Sequence, residues 1–154
     1  MHRPFMKAVL IALIAFPVNI AKAQDGEVAE IRSMMETMAE LIQAKDVDSL
    51  DKFYASGQSV HIIEGAGVNH GWVDYRDHHL APELAAFDDF SYRYFAIEPQ
   101  IRGDFSFTAF RYELSADIDS GHIEIEGRGT AVMEKTSGQW KIVHLHTSGR
   151  PKRS

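Results

Sequence analysis

The sequence predicts a single domain of the α+β class, with helices first and a run of long antiparallel strands after them. Apolar residues recur at three- and four-residue steps over residues 25–44, which is typical of an amphipathic helix. From about residue 89 the pattern changes to long segments rich in aromatic and β-branched residues, separated by glycine-containing turns. Helices and strands that are segregated along the chain indicate an α+β layout.

The first half of the chain contains the predicted helices. An apolar stripe that includes Ile31, Met35 and Met38 supports the first helix, and an acidic start supports the second. Pro82 is expected to bend or divide the third. A short strand over residues 58–64 is expected to end at Gly65. The predicted helices cover residues 25–44, 46–54 and 71–87.

The second half is predicted to be a meander of four long strands. Several of them are apolar on both faces: Phe105 and Phe107 oppose Phe110 and Tyr112. The helices can cover one face only, so we expect a second copy of the chain to cover the other, in a homodimer packed sheet to sheet. The predicted strands cover residues 89–102, 104–117, 121–135 and 139–147.

The amino-terminal segment predicts export. Residues 1–23 combine basic residues, an apolar run and the sequence Ala21-Lys22-Ala23, which together are typical of a cleaved signal peptide. The apolar run is too short for an ordinary membrane span, so no stable membrane insertion is expected. We therefore predict a domain over residues 24–148 and a basic tail over residues 149–154, and a periplasmic location if the source is bacterial.

Composition excludes several kinds of chemistry. The chain has a formal net charge of −6, and removal of the basic signal segment would make it more acidic. Such a chain repels phosphate backbones, so nucleic-acid binding is not expected. There is no cysteine, which excludes disulfides and thiolate metal ligands. No organic cofactor is expected.

The carboxyl-terminal strand carries the most informative motif, Gly138-Gln139-Trp140-Lys141-Ile142-Val143-His144-Leu145-His146-Thr147-Ser148-Gly149-Arg150-Pro151. Strict alternation predicts that Trp140, Ile142, His144 and His146 share one face. The motif resembles the last strand of the association domain of calcium/calmodulin-dependent protein kinase II. More broadly it resembles the SnoaL-like branch of the nuclear transport factor 2-like superfamily, as does the Arg128-Gly129-Thr130-Ala131-Val132 segment.

The resemblance implies a cone-shaped nuclear transport factor 2-like fold, in which N-terminal helices pack on a curved, mostly antiparallel sheet and enclose a pocket. Because this fold hosts isomerases, dehydratases, oligomerisation hubs and binding modules, it leaves open whether the chain is an enzyme. An isomerase-like site would need a carboxylate base. The candidates are Glu64, Glu98, Glu113, Glu124, Glu126, Asp74 and Asp77, and none lies in a family motif.

Histidines, aromatic residues and one arginine are the predicted lining of the pocket. Trp72, Tyr75 and His79 can share one face of the third helix, and Arg128 can bind a carboxylate bidentately. The predicted ligand is small and anionic or partly apolar. The full set of predicted pocket residues is His61, Trp72, Tyr75, His79, Arg128, His144 and His146.

Three functions remain open from the sequence. The chain binds a small molecule in the cone, or it is an isomerase- or dehydratase-type enzyme in which a pocket histidine is the general base, or it is a homo-oligomeric assembly module. No metal is expected. The alternative is a divalent ion on His144 and His146, with a third ligand from His61, His78 or His79.

Overall fold

The computed structural model describes the backbone of residues 17–153 and the side chains of residues 24–153. The predicted signal peptide, residues 1–23, lies largely outside the described residues and stays a prediction. None of the described helices combines the length and the apolar composition that a membrane span requires.

Helices precede a long-stranded meander, so the predicted α+β order is confirmed. The predicted third helix is divided into α2 (Trp72–Tyr75), a π-helical turn and α3 (Ala81–Ala85), and Pro82 lies in the first turn of α3. An additional strand, β2 (Gly67–His70), follows the turn at Gly65 and was not predicted. The elements are α1 Pro17–Gln43, a 3₁₀ helix Asp48–Phe53, β1 His61–Glu64, β2 Gly67–His70, α2 Trp72–Tyr75, the π-helical turn Arg76–Leu80, α3 Ala81–Ala85, β3 Asp88–Arg102, β4 Phe105–Ile118, β5 Gly121–Thr136 and β6 Gln139–Pro151.

The strands form one six-stranded sheet in the order β2-β1-β6-β5-β4-β3. All neighbouring strands are antiparallel except β1 and β6, which run parallel, with His61 opposite His144. β6 continues to Pro151, and Arg150 forms an ion pair with Glu126 on β5 at 2.6 Å. Residues 149–151, predicted as the start of a basic tail, therefore belong to the sheet.

Two glycines allow aromatic rings to lie across β5. A Cβ atom on Gly127 would lie 2.2 Å from the ring of Tyr112, and one on Gly129 would lie 2.3 Å from Phe110. Only residues without a side chain permit this close approach. Because side chains alternate along a strand, Arg128 between them points to the opposite side of the sheet.

We call the face that carries Phe110, Tyr112 and Leu145 the inner face, because these residues are buried in the core. The outer face is the opposite one and carries Phe105 and Phe107, which are 52% and 44% exposed. These exposures confirm the prediction that β4 is apolar on both faces.

A β-bulge changes the face assignment within β6. Met133 on β5 pairs with Ile142, whereas Val132 pairs with His144, so Val143 has no partner of its own. An extra residue of this kind reverses the alternation beyond it. Trp140 and Ile142 before the bulge are buried, as are Leu145 and Thr147 after it. The predicted common face of Trp140, Ile142, His144 and His146 is therefore wrong: both histidines lie on the outer face.

Helix α1 packs along β3 and closes the inner face. Ile31, Met35 and Met38 are almost completely buried, as the apolar stripe predicts. A hydrogen bond ties α1 to β3: the Arg32 Nε donates to the carbonyl of Ile97 at 3.0 Å. The sheet and the helices thereby enclose a space between them.

Candidate functional site

A cavity of about 240 Å³ lies between the inner face of the sheet and the helices. Its wall is largely aromatic and aliphatic, and all five tyrosines of the chain contribute to it. Most of the remaining wall comes from Phe and Leu or Ile side chains. The lining residues are Ile42, Tyr54, Glu64, Tyr75, Leu80, Glu83, Leu84, Phe87, Phe90, Tyr92, Tyr94, Tyr112, Leu114, Ile123, Ile125, Leu145 and Thr147.

One part of the cavity wall is polar, and we call Glu64, Tyr75, His79 and Glu83 the polar end. The Tyr75 hydroxyl donates to Glu64 Oε2 at 2.7 Å. The Nε2 of His79 lies 3.5 Å from the same oxygen, and its ring lies 5.1 Å from that of Tyr75. Glu64, Tyr75 and Glu83 line the cavity itself.

Helical spacing and strand geometry bring the polar end together. Tyr75, His79 and Glu83 recur at four-residue steps through α2, the π-helical turn and α3, so they lie along one side of the helix. π-helical turns within helices are frequent at functional sites. Glu64 is the last residue of β1, before the turn at Gly65, and its hydrogen bond with Tyr75 places its carboxylate against this helix.

The phenols are held in a desolvated environment. Burial is the main reason that the pKa values of Tyr54, Tyr75, Tyr92 and Tyr94 are raised, and burial with the charge of Glu64 raises the pKa of Tyr112 to about 12. Their hydroxyls are therefore neutral donors near neutral pH. Tyr54 and Tyr112 both line the cavity and are 6% and 7% exposed.

The charge of the cavity is negative. Glu64 and Glu83 line it, and no lysine or arginine of residues 24–153 does. Burial, and next the charge of Glu64, raise the pKa of Glu83, while His79 opposes this shift. A ligand that carries a negative charge of its own would be repelled from these carboxylates.

The predicted pocket residues divide between the two faces. Tyr75 lines the cavity and His79 lies beside it. His61, Arg128, His144 and His146 lie on the outer face, where Arg128 and His146 border an open depression with Arg111 and Ser148. The structure therefore does not bring these four residues into the cone.

Trp72 takes part in the core on the far side of Tyr54. The two rings stack with centroids 3.9 Å apart, and the Trp72 Nε1 donates to Asp51 Oδ1 at 2.6 Å. Trp72 thus supports Tyr54, a wall residue, and is not itself in the cavity wall.

The histidine metal site considered from the sequence is not formed. His61 and His144 are register partners in neighbouring strands, but no third donor among the described side chains converges with them. Within residues 24–153, the group of three donor side chains that converge is a different one: Glu64, His79 and Glu83, whose ligand atoms lie within 4.8 Å of one another.

Sequence reasoning named Glu64 only as one of several carboxylates and did not select Glu83. The signal for Glu83 is the repeat of Tyr75, His79 and Glu83 at steps of four, which is visible in the sequence. The signal for Glu64 is weaker, because its role depends on the pairing of β1 with β6, two segments that are far apart in the chain.

Comparison with protein families identifies the fold. The model of the SnoaL-like domain family matches residues 31–151. The chain belongs to the SnoaL-like domain family. The resemblance to the nuclear transport factor 2-like superfamily, predicted from the terminal strand and the order of elements, is confirmed. A search of curated proteins finds no match to the chain.

Solved structures support the same fold. A nuclear transport factor 2-like superfamily protein from Salmonella enterica serovar Typhimurium is 18% identical, with a TM-score of 0.76 over 85% of this chain and 96% of its own. A proposed ketosteroid isomerase from Shewanella frigidimarina is 22% identical, with a TM-score of 0.64 over 80% and 93%. A proposed calcium/calmodulin-dependent protein kinase II association domain from Xanthomonas campestris is 16% identical, with a TM-score of 0.65 over 80% and 88%.

Proposed function

We propose that this SnoaL-like domain binds a small, uncharged and mainly apolar molecule in the inner cavity. The observation that carries the proposal is the composition of the wall, in which all five tyrosines and many aliphatic side chains surround one polar end. An apolar cavity with a few convergent polar groups is the usual form of a small-molecule site. The hydroxyls of Tyr54 and Tyr112, two residues of the cavity wall, supply donors for a carbonyl or hydroxyl of the ligand.

The proposal changes the ligand charge expected from the sequence. An anionic ligand was expected because Arg128 and the histidines were placed in the pocket. Arg128 lies on the outer face, since Gly127 and Gly129 occupy the inner positions around it. Glu64 and Glu83 remain as the charged groups of the cavity wall. We therefore propose an uncharged ligand.

Two naphthalene probes of similar size test this choice. 2-Naphthol is uncharged near neutral pH and carries a hydroxyl, whereas 2-naphthoate carries a carboxylate on the same ring system. We expect 2-naphthol to bind at least about tenfold more tightly in calorimetric titrations, a difference of about 1.4 kcal/mol. Equal binding, or tighter binding of 2-naphthoate, would contradict the proposal.

A pair of tryptophan variants locates the binding. Leu114→Trp places an indole in the cavity wall, and Arg128→Trp places the same group on the outer face. We expect Leu114→Trp to reduce 2-naphthol binding at least about tenfold and Arg128→Trp to leave it unchanged. Circular dichroism and thermal unfolding of both variants are the controls for correct folding.

We also propose that two copies associate through the outer face. Phe105 and Phe107 are half exposed there, and a partner that covers them would remove apolar surface from water. The assembly-module alternative predicts a larger ring, and analytical ultracentrifugation distinguishes the two states.

Export to the periplasm is proposed from the predicted signal peptide alone. Amino-terminal sequencing of the protein from a fractionated cell is the test: a chain that begins at Gln24 in the periplasmic fraction supports it, and a cytoplasmic chain that begins at Met1 contradicts it. The isomerase- or dehydratase-type activity stays a prediction, for which His79 is the predicted pocket histidine that lies beside the cavity.

A further inference from the structure

Three donor side chains converge at the polar end, and they come from three different elements. Glu64 ends β1, His79 lies in the π-helical turn and Glu83 lies in α3. Their ligand atoms all lie within 4.8 Å of one another. The ligand atoms of a tetrahedral zinc site, with bonds of about 2.1 Å, are separated by about 3.4 Å. Small side-chain rotations therefore suffice to bring the three atoms to one ion.

We propose that Glu64, His79 and Glu83 bind a divalent transition-metal ion at the polar end of the inner cavity. The inference deepens the proposed function and rests on it, because the ion would lie where the polar group of the ligand is expected. One imidazole and two carboxylates are ligands that Zn²⁺ and its first-row neighbours accept. Three protein ligands leave a coordination position open for water or for an oxygen of the ligand.

Charge balance supports an ion at this position. Two carboxylates face each other across a partly buried space, and each side chain of the group is only partly exposed. A divalent cation would neutralise both carboxylates, and no lysine or arginine of the described residues lines the cavity to do so.

Two tyrosines, Tyr75 and Tyr54, lie next to the proposed metal ligands. The Tyr75 hydroxyl donates to one oxygen of Glu64 at 2.7 Å, and such hydrogen bonds orient metal-binding carboxylates. Tyr54 is 6% exposed and lines the same cavity, so its phenol borders the space next to the proposed ion.

The direct test is titration of the tag-free, chelator-treated protein with Zn²⁺ by calorimetry, and with Co²⁺ by visible absorption. We expect one Zn²⁺ per chain, and Co²⁺ bands typical of a site with nitrogen and oxygen ligands. His79→Gln is expected to weaken Zn²⁺ binding at least about tenfold, and Tyr75→Phe about tenfold through the lost orientation of Glu64. Mg²⁺ is expected to compete poorly, because it prefers oxygen ligands.

The adjacent histidine provides a matched control. His78 neighbours His79 in the chain, but its side chain is 75% exposed and contacts Asp74. His78→Gln is therefore expected to bind Zn²⁺ as the unmodified protein does. A variant in which His61, His144 and His146 are replaced by glutamine is expected to do the same. If Zn²⁺ binding is absent, persists in His79→Gln, or is lost only with the outer-face histidines, the proposal is wrong.

The metal inference and the proposed function fail in different ways. Titration of the zinc-free protein with 2-naphthol tests the cavity alone, and repetition with bound Zn²⁺ tests the added site. Binding of 2-naphthol without any Zn²⁺ binding would overturn the metal inference and retain the proposed function. Zn²⁺ binding that depends on His79, without any 2-naphthol binding, would overturn the proposed function and support the metal site.

Discussion

The inner and outer faces of the sheet are built by the same strands and have opposite chemistry. The inner face carries tyrosines and aliphatic side chains around a cavity that contains two carboxylates. The outer face carries the exposed Phe105 and Phe107 and, elsewhere, an open depression bordered by Arg111, Arg128 and His146. Because successive side chains of a strand point to opposite faces, the position of a residue in this alternation decides which environment its side chain enters. A single bulge residue, Val143, therefore moves His144 and His146 from one environment to the other.

The strongest test of this difference compares neighbouring residues on β6. Leu145→Ala removes a side chain that is 4% exposed on the inner face, and we expect a loss of about 2–5 kcal/mol in the free energy of unfolding. His144→Ala, next to it on the outer face, is expected to lose much less. Urea denaturation measures both, and a larger loss for His144→Ala would show that the bulge does not set the faces as described.

The glycines of β5 give the next largest effect. A methyl group on Gly129 would lie 2.3 Å from Phe110, so Gly129→Ala is expected to lose about 1–3 kcal/mol through overpacking. Thr130→Ala is the control, because Thr130 is exposed on the outer face and a change there is expected to stay within about 0.5 kcal/mol. Equal stability of the two variants in urea denaturation would contradict the packing of Phe110 onto β5.

Outer-face variants are expected to change association without changing the fold. Phe105→Ser with Phe107→Ser removes the two exposed apolar side chains, so the dimer proposed above should become a monomer in sedimentation velocity. The inner cavity is on the other side of the sheet, and 2-naphthol binding should persist. A dimer that survives the double substitution would mean that copies associate elsewhere.

The smallest expected effect is a pH dependence from His144. Partial burial, and next the positive charges of His146 and His61 when these are protonated, lower the pKa of His144. Its neutral form is thus favoured in the folded state. The folded protein is therefore most stable, with respect to this group, above the pKa of about 6.5 that His144 has in the unfolded chain. This stability is lost as the pH falls through the lower pKa of the folded state. In urea denaturation at several pH values, His144→Gln should reduce the fall in the free energy of unfolding below about pH 6.5. If the fall is unchanged, groups other than His144 cause it.

The sequence was sufficient for the fold but only partly sufficient for the site. Periodicity identified α1 and the four long strands, because apolar residues of the core follow regular repeats there. Periodicity failed at Val143, since a bulge depends on pairing between two strands and leaves no mark in one of them. It also missed β2, where the glycines at 65 and 67 resemble the end of a strand.

The contrast between local periodicity and pairing of distant strands also explains which site residues could be named from the sequence. The structure places Tyr75 in the cavity wall and His79 beside it, and both were named from helical spacing, which is a local signal. Arg128 was assigned to the cavity by resemblance. It lies on the outer face because the rings of Tyr112 and Phe110 pack over Gly127 and Gly129 on the inner face, a contact between two strands that β5 alone does not reveal. Glu64 meets Glu83 only after β1 has joined the sheet beside β6.

The most direct test of the central claim is a titration of methyl-labelled protein with 2-naphthol, followed by nuclear magnetic resonance. Inner-face methyl groups of Leu114, Ile125 and Leu145 line the cavity, whereas Val132 lies on the outer face beside His144. We expect ring-current shifts and intermolecular contacts at the three inner residues and none at Val132. Shifts confined to Val132 and its neighbours would place the binding site on the outer face and contradict the account.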